Sequence, residues 1–121
     1  MFEWEKGNAF SLVVTLYANN FTLNNAACTK FKDSKWCMIG IDRTNKQVAI
    51  KPIFKKDIDL NIYPLENLHK VFLGKGYARI SNKNIINEIS NIINKECNGI
   101  KFEATFDNDQ QMLIIDLNKP I

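Results

Sequence analysis

The side chains able to do covalent or acid–base chemistry are few: one histidine, His69, and three cysteines, Cys28, Cys37 and Cys97. Catalysis of either kind needs a poised acid, base or nucleophile, and this inventory is thin for an enzyme. Cys28 falls on the apolar side of a short helix and Cys37 in the first strand of a hairpin, so both are expected as small buried hydrophobes. Cys97, at a helix end, is expected to be partly exposed, and His69 reads as a surface imidazole at the start of a strand. No cysteine pair has the short spacing of a zinc site and a single histidine cannot complete one, so neither a metal nor a cofactor is expected. Asp107 and Asp109 resemble the opening of an acidic cation loop, yet the glycine and the distal glutamate of such a loop are missing. They read as turn residues.

Recognition chemistry is better represented. From Lys30 to Lys56 eight bases stand against two acids, Asp33 and Asp42, which makes the segment +6 within a chain of net charge +3. Lys30, Lys32, Lys35, Arg43, Lys46 and Lys51 are the candidate nucleic-acid contacts, since clustered bases neutralise phosphates. A second candidate is an anion site at Gly74, Gly76, Arg79 and Ser81: the glycines permit close backbone approach, and a helix is expected to start at Ser81 with its N-terminus favouring negative charge.

These groups must be positioned by a chain that looks like one unit used twice. Trp36 to Pro52 aligns without a gap on Lys101 to Leu117, with Asp42 on Asp107 and Ile50 on Ile115, and each stretch reads as two strands around a short polar loop. Ahead of the first hairpin, Phe10 to Tyr17 has the β-branched and aromatic content of an interior strand. Asn19-Asn20 turns, Phe21 to Leu23 extends, and Asn24 caps a short helix over about 25–32. The second unit opens at Lys70, turns at Gly74-Lys75-Gly76 and continues to Ile80. A helix follows, carrying Ile85, Ile86, Ile89, Ile92 and Ile93 at helical spacing and stopping at Asn98-Gly99. Pro52 stops the second strand or confines it to an edge, and Ile58, Leu60 and Ile62 alternate with polar residues as an edge strand of the connector.

The fold expected is α+β in one domain: two tandem β-α-β-β repeats, about 10–52 and 70–118, packed with pseudo-twofold symmetry, with mainly antiparallel strands and two helices. An odd cysteine count and an N-terminus, MFEWEKGNAF, without a basic leader or a membrane-length apolar run point to the cytoplasm and away from a membrane.

Each unit, with Asn20-Phe21-Thr22-Leu23-Asn24 before Ala26-Ala27 and a hairpin ending Val48-Ala49-Ile50-Lys51-Pro52, resembles the swapped-hairpin DNA-binding domains of AbrB-like regulators and MazE-type antitoxins. It departs from them at Asn19-Asn20, where the family carries Gly-Arg, and at Asn24, where it carries Pro. The resemblance covers about half the chain per copy and implies DNA contacts from bases such as Lys30, Lys32, Arg43 and Lys46. The functional expectation is a non-catalytic binding or interaction module whose partner is nucleic acid or an acidic protein. A homodimer would use Met112 to Leu117 or the isoleucine-rich helix.

Overall fold

The apolar runs become strands, and the computed structural model describes residues 1–4 and 11–121 of the chain. In order come β1 (Leu12–Leu16), β2 (Asn20–Leu23), α1 (Asn25–Cys28), β3 (Trp36–Asp42), β4 (Gln47–Ile53), α2 (Lys55–Asp59), β5 (His69–Lys70), β6 (Phe72–Gly74), β7 (Tyr77–Ser81), α3 (Lys83–Ile93), β8 (Ile100–Asp107) and β9 (Met112–Pro120). The nine strands of the described residues join one antiparallel sheet in the order β5-β3-β4-β9-β8-β1-β2-β7-β6. Phe10, where the first predicted strand begins, lies outside the described residues.

Residues His69 to Gly74 nearly close this sheet into a barrel. The run changes neighbours at Val71: Lys70 pairs with Trp36 of β3, while Phe72 pairs with Arg79 of β7. Val71 is buried in the core, and its N–H donates to the Lys35 carbonyl at 2.9 Å. Inward-facing Val14, Leu16, Phe21, Phe102, Leu113 and Ile115 fill the interior, and Ile86 and Ile89 of α3 join the same cluster. Alternation within each strand sets the opposite face outward.

The expected pair of packed β-α-β-β units is corrected by this topology. Strands of the two halves interleave: β2 pairs with β7, β4 with β9 and β1 with β8, so the edges of either half are satisfied by the other and one sheet results. Among the described residues three small α-helices are present instead of two. The connector is helical at α2, where a strand over 58–62 was expected, and Asn61 takes a left-handed φ of 53° that an extended run cannot accommodate. Leu60 and Ile62 are exposed, so their alternation with polar residues marks no buried face. The first helix is four residues long before tightening into a 3₁₀ turn, and the long helix is capped by Asn82, Ser81 being the last residue of β7.

The two hairpin loops are alike. Asp42 Oδ1 accepts from the N–H of Asn45 at 3.0 Å and Asp107 Oδ1 from that of Gln110 at 3.1 Å, and Lys46 and Gln111 both have φ of 54°. Each loop is also held by the other hairpin. Asn118 Nδ2 donates to the Asn45 carbonyl, and Lys51 Nζ to the Gln110 carbonyl.

Candidate nucleic-acid interface

Of the six bases predicted as contacts, Lys35 and Arg43 are set apart by the strand they flank. β3 is seven residues long and so spans roughly 23 Å, with Lys35 before one end and Arg43 beyond the other. Arg43 pairs with Glu88 of α3 at 3.2 Å, Lys30 places its ammonium 5.0 Å from the Phe106 ring centre, and Lys51 is committed to Gln110. Lys32 and Lys46 are exposed. Lys35 and Arg43, close in the charge run, therefore stand at opposite ends of an extended strand.

At the Lys35 end a different group assembles. Asp33, Lys35, Trp36, Ile53, Lys55 and Ile58 line a notch of about 230 Å³. Three local features build it. Asp33 leaves the 3₁₀ turn with a left-handed φ of 67°. The fully buried Ser34 then places its hydroxyl 2.7 Å from the Trp36 carbonyl and 3.0 Å from that of Ile53, tying the start of β3 to the end of β4. Trp36 pairs with Ile53 on one side and with Lys70 on the other, and paired residues of antiparallel strands share a face. Ile53 is covered, whereas Trp36 keeps 38 % of its surface exposed beside Lys35, Lys55 and Lys70. Pro52 lies beyond the last β4 residue that pairs with β9, so its missing N–H breaks no ladder bond.

The proposed glycine site is taken up by the fold itself. Gly74 and Gly76 turn β6 into β7: Gly76 has φ of 83°, and Gly74 lies under the Tyr77 ring. The Arg79 guanidinium lies over the Tyr77 ring, 5.5 Å from its centre. The start of α3 is filled by Asn82, whose Oδ1 accepts from the Ile85 N–H at 3.0 Å and whose Nδ2 lies 3.3 Å from His69 Nδ1. Ser81 points outward on β7, opposite Asn20. These residues do not converge on an anion cradle.

Among the titratable groups, burial pushes the Cys37 thiol up to about 12, and Cys28 also rises by desolvation. Cys97, expected partly exposed, is buried, and Ser90 Oγ donates to its sulfur at 3.3 Å. Desolvation lowers His69, and because an amide Nδ2 can only donate, the contact with Asn82 requires an unprotonated Nδ1. Among the described residues no group of three or more His, Cys, Asp or Glu side chains is placed to hold a metal ion. The surfaces suggested for a homodimer are engaged within the chain: β9 is paired along both edges, and Ile86 and Ile89 face the core.

Lys70 was outside the predicted contacts because only the β5 pairing brings it to Trp36. Trp36 and Lys55 carried a signal in the sequence, an aromatic ring inside a basic run. Among the described residues no helix is long and apolar enough to cross a membrane. Comparison with family models, curated proteins and solved structures yields no match.

Proposed function

We propose that this chain is a non-catalytic binding module that takes nucleic acid at the Trp36 notch. The observation that carries the reading is the exposed Trp36 ring set among Lys35, Lys55 and Lys70. Flexible lysines neutralise phosphates, while an indole offers a stacking surface; together they make a short polyanion site that needs no catalytic group. Asp33 is the one acid lining the notch and leaves it net positive.

Fluorescence anisotropy of a labelled oligonucleotide, titrated with the whole chain at low salt, tests the reading. Three phosphates neutralised by lysines release their counterions and give log K a slope against log salt of about −2 for a single strand. The double variant Lys35→Glu with Lys55→Glu should abolish binding, whereas Arg43→Ala, at the far end of β3, should leave it unchanged. No binding to any oligonucleotide at low salt would overturn the nucleic-acid reading and turn attention to an acidic protein partner for the same lysines.

A further inference from the structure

The outward row that begins at Trp36 does not end at Lys70. Lys70 and Phe72 are two residues apart on the run that closes the barrel, Val71 between them is buried, and both are exposed on the outer face. Phe72 pairs with Arg79, and its ring lies 6.3 Å from that of Tyr77 at 43°, while Arg79 sits against the Tyr77 ring. Trp36, Lys70, Phe72 and Arg79 thus form one track across the seam of the barrel, aromatic and cationic side chains in alternation. Tyr77, with Gly74 under its ring, braces the far end.

We infer that this track binds a single strand of nucleic acid, with one base on Trp36 and another on Phe72 and the backbone phosphates on Lys70 and Arg79. The inference rests on the proposed nucleic-acid reading and narrows it to a substrate class. Phe72 is 56 % exposed, whereas Phe21, Phe31 and Phe102 are buried in the core, and it is available for such a contact. Lys70 lies opposite Trp36, so Phe72, two residues on, is the diagonal neighbour of Trp36, roughly 7–8 Å away. That is about twice the 3.4 Å rise between stacked bases, so the bases must be parted from one another before they can meet the two rings. A duplex keeps its base faces stacked inside, out of reach of both rings. Single-stranded chains expose them, and ring-on-base stacking with interleaved cations suits any base. Lys35, Lys55, Lys70 and Arg79 supply the complementary charge, with Asp33 the acid that lines the notch.

The discriminating experiment compares a labelled 12-nucleotide single strand with the corresponding blunt duplex, both titrated with the whole chain. Electrostatics alone favours the duplex, which carries its charges at about 1.7 Å spacing against 3.4 Å for one strand. The track predicts the reverse order, with the single strand bound about tenfold more tightly. Phe72→Ala should lower single-strand affinity about tenfold and leave duplex affinity unchanged, Phe72→Trp should restore it, and circular dichroism should confirm that both variants are folded. In a Trp4→Phe background Trp36 is the remaining tryptophan, and the single strand should quench its fluorescence. Equal or tighter duplex binding, or an unchanged single-strand affinity in Phe72→Ala, would overturn the track while leaving the nucleic-acid reading in place. Failure of both oligonucleotides to bind would remove both.

Discussion

The Tyr77 ring lies across Gly74, filling the space that a Cβ at residue 74 would need: such a carbon would overlap Cζ and Cε1 and come 2.8 Å from Oη. Covering a strand glycine with a neighbouring aromatic restores packing that the missing side chain gives up. Gly74→Ala is expected to displace the ring and lower stability by about 1–2 kcal/mol in urea denaturation, the range of a small overpacking. In a Tyr77→Ala background the same substitution should cost little, because the clash is gone. An equal cost in both backgrounds would show that the ring is not what position 74 answers to.

Asn24 does more than cap a short helix. Its Oδ1 accepts from the N–H groups of Ala27 at 3.0 Å and Val13 at 3.1 Å, and its Nδ2 donates to the Ser11 carbonyl at 2.7 Å, tying α1 to the first strand. Losing a cap removes about 1 kcal/mol, and leaving two partly buried backbone groups unpaired adds to it. Asn24→Ala should therefore destabilise by about 2–3 kcal/mol. Asn24→Asp, which keeps the acceptor and loses the donor, should fall between it and the parent in thermal unfolding.

Ser34→Ala deletes the buried hydroxyl shared by the Trp36 and Ile53 carbonyls. We expect a loss of about 1–2 kcal/mol and a shift of the Trp36 emission maximum in a Trp4→Phe background, since the notch loses its tie between β3 and β4. An unaltered emission spectrum would argue that the strand pairing alone shapes the notch.

Acid should weaken the fold through His69. Its folded imidazole is held below the usual value by desolvation, and Nδ1 accepts from Asn82. Below about pH 6.5 the unfolded chain binds a proton that the folded one resists, so stability falls as pH drops through that range. His69→Gln should flatten this limb of a stability profile measured by denaturant midpoints. A limb of unchanged slope would assign it to other groups.

Alkali acts through Cys37. With the folded thiol raised to about 12 and an unfolded thiol titrating near 9, the folded chain holds a proton that the unfolded one releases. Stability contributed below pH 9 is lost between about 9 and 12, at up to about 1.4 kcal/mol per pH unit. The same burial should keep Cys37 unreactive to a thiol reagent until the chain unfolds. Prompt labelling of Cys37 in the native protein, located by peptide mapping, would contradict it.

What the sequence by itself determined is what short-range bonds can encode. Asp42 and Asp107 each place a carboxylate where the loop amides two or three residues on need an acceptor, so both hairpins are legible from residue type and spacing. Asn24 is a cap for the same reason, and the isoleucine spacing specifies the body of α3 because 3.6 residues make a turn whatever surrounds it. The failures are also local in origin. Ile58, Leu60 and Ile62 alternate as a strand would, but the segment pairs with no strand of the sheet and satisfies its backbone internally around α2. Which edge meets which was left to the tertiary structure. A hairpin's outer edges are donors and acceptors with no preference written into the hairpin itself, and β4 finds β9, and β2 finds β7, only when the whole chain buries one interior. The candidate interface follows from that choice: Lys70 comes to Trp36, and Phe72 to Arg79, because one strand bends its pairing at Val71 to nearly close the barrel.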